Sequence, residues 1–116
     1  MEIAALKARA AEVHEILKGI ASKQRTTAVL VAGGWRIVGG GVRDLDPAQR
    51  HSLLKGEIAA KLVRQHAEIT VLAEAQRRGL APRAIAVTRP ICPKCAFEIK
   101  VSGGALTSNT TAIWPR

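Results

Sequence analysis

Large aromatic side chains are nearly absent from this chain of 116 residues: there is no Tyr, and Trp35, Phe97 and Trp114 are the only rings of that size. A core built without them must rely on Ala, Val, Ile and Leu, so each ring's position carries information. Cysteine is almost as scarce, with Cys92 and Cys95 alone. Small disulfide-stapled domains spread several pairs along the chain, and that class is excluded. No run of about 18 apolar residues occurs, which excludes a membrane-spanning helix. Glu2, Lys7, Arg9, Glu12 and Glu15 interrupt any apolar stretch near the N-terminus, so no signal peptide is expected in this chain. Acidic residues are few: 9 stand against 18 Lys and Arg, a net charge of +9. Such an excess attracts polyanions, nucleic acid first among them; a charge kept for solubility or for an acidic protein partner is the plainer alternative. What is present is 47% hydrophobic residues, enough for a packed core, in a length that suits one domain over 1–116.

Over residues 2–21, Ile3, Leu6, Ala10, Val13, Leu17 and Ile20 recur at steps of three and four. The spacing predicts an amphipathic helix, weakened near its end by Gly19, with His14 on the solvent side. Residues 26–32 form a β-prone apolar run, and Gly33-Gly34 turns it into Trp35–Val38, the pattern of a tight hairpin. Gly39-Gly40-Gly41 lacks the spacing of a phosphate loop and reads as a flexible turn; backbone packed close to a ligand is the sharper alternative. Asp46, Pro47 and Gln49 have the chemistry of a helix start. Leu53, Leu54, Ile58 and Leu62 extend that pattern as a helix, with Gly56 as its weak point. A further helix runs from His66 through Gln76 to Gly79, with Arg77 and Arg78 in its last turn. Residues 83–88 predict a buried strand, 95–101 a short helix stopped by Gly103-Gly104, and 107–114 a last strand or extended edge. The order is that of a mixed α/β sandwich.

Four side chains in this frame carry chemistry: His66, Glu68, Cys92 and Cys95. Zinc takes imidazole nitrogen and thiolate sulfur in a tetrahedron, and a catalytic zinc keeps one position open for water. One His and two Cys supply three ligands and leave that vacancy. His66 at one helix start and Cys92-x-x-Cys95 at the next strand-to-helix turn would let two helix ends meet at one ion, where the helix termini favour thiolates. Glu68, two residues beyond His66, can face the same cavity as a general acid/base without being a ligand. The H-x-E … P-C-x-x-C pattern is that of zinc-dependent nucleobase deaminases. A redox C-x-x-C would not call for the H-x-E, and a structural zinc site would want a fourth ligand, for which His14 and His51 lack useful spacing.

With His66-Ala67-Glu68, the run Thr88-Arg89-Pro90-Ile91-Cys92-Pro93-Lys94-Cys95 and the ending Thr110-Thr111-Ala112-Ile113-Trp114-Pro115, the chain resembles the cytidine deaminase-like superfamily over about residues 26–116. Within it, the chain is similar to deaminase domains at the C-termini of bacterial polymorphic toxins. The resemblance implies a three-layer α/β/α fold with a mixed central sheet of about five strands. It also implies Zn2+ held by His66, Cys92 and Cys95, and Glu68 as proton shuttle. One departure is plain: the family's Pro directly before the first Cys is replaced by Ile91, and Pro93 follows instead. The expected activity is conversion of cytosine to uracil in nucleic acid, DNA ahead of RNA. A free cytidine or nucleotide deaminase, and a catalytically silent zinc module that binds nucleic acid or protein, are the alternatives. The resemblance also implies an effector delivered into a recipient cell's cytoplasm, as the C-terminal domain of a longer protein, and a cognate immunity protein. Arg36, Arg43, Arg89, Lys94 and Arg116 are candidates for the nucleic-acid face. Trp35 and Trp114 are candidates for stacking on bases, and Asn109 for a sugar or phosphate contact. Ala67, Pro90 and Ile91 complete the expected substrate contacts, whereas Phe97 is expected to pack.

Overall fold

The computed structural model describes residues 3–17, 25–41, 43–62 and 64–115. Its elements are α1 (Ile3–His14), β1 (Thr27–Ala32), β2 (Trp35–Gly40), α2 (Pro47–His51), β3 (Glu57–Ala59), α3 (Ala67–Arg77), β4 (Pro82–Val87), α4 (Pro93–Val101), β5 (Ala105–Leu106) and β6 (Thr111–Ile113). The strands form one mixed sheet in the order β3-β2-β1-β4-β6-β5. All neighbours are antiparallel except β2 and β3, which run parallel. The fold is the expected three-layer α/β/α sandwich, with six strands where about five were expected.

Alternation along the strands builds the layers, because successive side chains point to opposite faces. Ala28 and Leu30 of β1, Ile37 of β2 and Ile85 and Val87 of β4 meet Ala67, Val71 and Ala75 of α3 and Ile99 of α4. Val29, Val38, Ala84 and Ala86 point the other way, onto Leu6, Ala10 and Val13 of α1. The small residues bring the helices close. At Gly39, a Cβ would lie 2.9 Å from the Val71 Cγ1 and 3.2 Å from the Thr70 Cγ2, so α3 rests directly on the strand. Gly39 and Gly40 are therefore strand residues, not the flexible turn their run suggested.

The hairpin turn forms as expected: Gly33 and Gly34 both take positive φ, at 57° and 82°, as a two-residue turn between right-twisted strands requires. The helix start at Asp46 is also as read. The Gln49 amide donates to the Asp46 Oδ1 at 2.8 Å, and the Asp46 amide donates to the Gln49 Oε1 at 3.1 Å. That helix ends at His51, however, and does not continue to Leu62. Gly56 takes φ 88°, a left-handed turn, and Glu57–Ala59 enters the sheet beside β2. Long-range forces override the local periodicity there. The Arg9 guanidinium of α1 grips the Glu57 carboxylate through two hydrogen bonds of 2.8 and 2.9 Å and donates a third to the Ser52 carbonyl.

The N-terminal helix ends at His14, with Leu17 still buried beyond it; Gly19 and Ile20 lie outside the described residues. His14 is half-buried rather than solvent-facing, its Nδ1 3.0 Å from the Thr27 Oγ1. The C-terminal stretch gives two strands, because β5 forms directly after Gly103-Gly104 and pairs with β6. Among the described residues no helix is long and apolar enough to cross a membrane.

Candidate metal centre

Two helix starts meet at one end of the sheet. His66 is the N-cap of α3 and Cys92 the N-cap of α4. Pro93 occupies the first position of α4, where its fixed φ suits the helix and its missing N–H leaves no donor unsatisfied. Pro93 thus starts the helix that carries the second thiol. The Cys95 amide points back and donates to the Cys92 Sγ at 3.4 Å, the cap bond of α4 made to sulfur.

The ligand atoms of His66, Cys92 and Cys95 all lie within 4.8 Å of one another, close enough to hold a metal ion. Between the Cys92 Sγ and the His66 Nδ1 the distance is 3.5 Å. Two ligands at zinc-like bond lengths and a tetrahedral angle would be about 3.6 Å apart, so this pair fits two corners of a tetrahedral ion. The triad grades from exposed His66 through half-buried Cys92 to fully buried Cys95.

Glu68, in the first turn of α3, is 3% exposed. Burial pushes its carboxyl up from the ordinary range, against the opposing pull of a backbone amide, the His66 ring and a hydrogen bond with Cys95. The Cys95 thiol is pushed well above its ordinary value by burial first, and then by the negative charge of Glu68. Two buried acids crowded together resist ionising at the same time. A bound cation reverses that logic, because a coordinating thiol is deprotonated outright.

His66 and Cys92 open onto a cavity of about 420 Å³ that Thr26, Gly41, Ala67, Glu68, Arg89 and Pro90 also line. Of the expected substrate contacts, Ala67, Arg89 and Pro90 therefore border the site. Ile91 packs against the core beside it, and its amide donates to the Asn109 carbonyl at 2.7 Å. That bond ties Asn109 to the loop carrying Cys92. The tryptophans are elsewhere. Trp114 is 7% exposed and its ring N–H donates to the Ser102 Oγ at 2.9 Å, so its faces are buried in the core. Trp35 pairs with Ala32 at the hairpin end of β1, whereas Thr27 and Gly40 mark the end at the cavity. Five residue steps of about 3.3 Å separate the two ends, so neither ring stacks on a base in the cavity.

Among the candidate cations, Arg36 sits beside Trp35 at that far end, paired with Val31 and Glu57. Arg43 follows the cavity-lining Gly41, and Lys94 is exposed in the first turn of α4. Arg116 lies outside the described residues. Phe97 does not pack as expected: it is 64% exposed. Thr26 is a lining residue not singled out from the sequence, and Gly41 belongs to the glycine run for which backbone close to a ligand was the sharper alternative. The glycine run held the signal for Gly41, since a Cβ there would come within 3.1 Å of the Ala67 amide nitrogen. Comparison with protein-family models, curated proteins and solved structures gives no match.

Proposed function

We propose that this chain is a zinc-dependent nucleobase deaminase that converts cytosine to uracil in nucleic acid. The observation that carries the reading is the buried Glu68 carboxyl on the cavity wall beside the His66, Cys92 and Cys95 donors. Two thiolates and one imidazole are a donor set that zinc favours, and they leave one tetrahedral position for water. Bound there, zinc supplies Lewis acidity that lets water lose a proton near neutral pH.

The remaining work falls to the chain. Glu68 accepts the proton of the attacking water and returns it to the departing amine, so that cytosine and water give uracil and ammonia. Ala67, Arg89 and Pro90 shape the cavity around the base. The net charge of +9 favours a polymeric substrate over a free nucleoside.

The test is uracil formation on DNA, RNA and free cytidine by zinc-loaded protein and its Glu68→Gln variant. Glu68-dependent uracil in a polynucleotide is expected. Activity on cytidine alone would shift the reading to a nucleoside enzyme, and equal activity of the variant would defeat it. The toxin setting, with its immunity protein and recipient-cell delivery, follows from the sequence resemblance. It adds a cellular expectation: expression in bacteria raises the frequency of C-to-T changes.

A further inference from the structure

Resting on the nucleic-acid reading above, we propose that the outer face of α4 is the platform for a nucleotide flanking the reacting base. In this arrangement Phe97 stacks on that base, and Lys94 and Lys100 take the adjoining phosphates. Cys95 and Ile99 turn the inner face of α4 into the core, fully buried. Lys94, Phe97 and Lys100, three residues apart in turn, fall along the opposite face, and all three are exposed. An aromatic plane between two cations on neighbouring helical turns matches a base between two phosphates: the ring offers a π-face that any base can stack on, and the ammonium groups offer charge.

Position singles out this ring. Of the chain's three aromatic side chains, Trp114 is buried and Trp35 lies at the hairpin end of the sheet. Phe97 flanks a largely apolar groove of about 450 Å³ with Pro93, Ala96, Lys100, Ala105 and Leu106. Consecutive residues border the two: Cys92 lines the metal-side cavity and Pro93 lines the groove. Four residue steps of helix lead from Pro93 to Phe97, a rise of about 6 Å. A strand whose target base enters the cavity can therefore lay its neighbour on Phe97. A second copy of this chain is a poor occupant, since two +9 surfaces repel.

The test is a binding cycle on zinc-loaded protein, read by anisotropy of short fluorescein-labelled single-stranded DNA with one cytosine, alongside uracil formation on the same strands. Phe97→Ala is expected to weaken binding roughly 5- to 100-fold, the range of one aromatic–base stack. An abasic site at one position adjoining the cytosine should cost the wild type a similar factor and the variant nothing more, and Phe97→Trp should keep tight binding. Unchanged melting of the exposed-site variant separates this loss from misfolding. If no abasic position couples to Phe97, or if the wild type does not bind the strand, the platform is overturned. Coupling without Glu68-dependent uracil would defeat the deaminase reading and leave the platform standing; uracil without coupling would do the reverse.

Discussion

The Cys92 Sγ lies 3.5 Å from the His66 Nδ1, across 26 residues of sequence and from the N-cap of a different helix. Neither local structure alone would bring them together. The contact exists because α3 and α4 lie on the same face of the sheet, starting at the same end. A metal ion bound to both would cross-link the two helices, and binding free energy would become folding free energy. Chelation by EDTA is expected to lower the melting temperature by on the order of 10 °C, as loss of a ligand present at about 100 times its Kd would. His66→Ala and Cys92→Ala should carry no stoichiometric zinc by elemental analysis and show no EDTA effect. Wild-type zinc content in either variant would remove these residues from the site.

Glu68→Gln separates metal holding from proton transfer. The amide has nearly the shape of the carboxyl and Glu68 is not one of the three donors, so zinc content should stay at the wild-type level. Uracil formation should fall by roughly 10²- to 10⁴-fold, the usual worth of a positioned general acid/base. A variant that keeps both metal and full rate would leave Glu68 without a chemical role.

The site was legible in the sequence because its parts are local. An N-cap His followed two residues later by Glu, and a C-x-x-C that opens a helix, declare themselves by spacing. The strand at Glu57–Ala59 was not legible. Leu53, Leu54, Ile58 and Leu62 keep helical spacing, yet the positive φ at Gly56 and the pairing with β2 decide the outcome. Both depend on β2 and on Arg9, 48 residues away from Glu57. The rings failed in the same way. Composition marked Trp35, Phe97 and Trp114 as informative, but which one is buried follows from how β6 and α4 pack.

The Arg9–Glu57 pair gives the fold an acid-side limit. Burial alone would raise the Glu57 pKa; hydrogen bonds from the Arg9 guanidinium and the Leu54 amide, with the charges of Arg9 and Arg36, reverse this and leave it lowered. A carboxyl with a depressed folded-state pKa contributes stability that is complete above its unfolded value, 4.5, and is lost as pH falls through the folded value. Urea denaturation should show Glu57→Gln less stable than wild type by about 1–3 kcal/mol at pH 7, with the difference shrinking below pH 4.5. A gap that is constant from pH 7 to pH 3 would assign the loss to packing.

Gly39→Ala tests the seating of α3. The added methyl meets the Val71 Cγ1 at 2.9 Å, so the Val71 side chain, or with it the helix bearing Glu68 and capped by His66, must shift. Overpacking of this kind typically costs about 1–3 kcal/mol. Since a displacement near 1 Å can lower a rate about a hundredfold, activity should fall further than stability does. Equal melting temperatures and rates would mean that α3 tolerates more space than its contact with β2 implies.

The basic surface is open to a salt titration. Lys94 adjoins Cys92 and Arg43 adjoins the loop that lines the cavity, whereas Arg36 sits at the hairpin end, near enough to Glu57 for its charge to lower that carboxyl's pKa. Each phosphate contact contributes about 0.7 to the slope of log K against log salt for a single strand. Lys94→Ala and Arg43→Ala should each flatten that slope by about this amount, and Arg36→Ala should leave it in place. A slope that responds equally to all three would mean that the polyanion spreads over the whole sheet end to end and is not gathered at the metal centre. A slope that responds to Arg36 alone would move the nucleic-acid face to the hairpin, where Trp35 is 45% exposed.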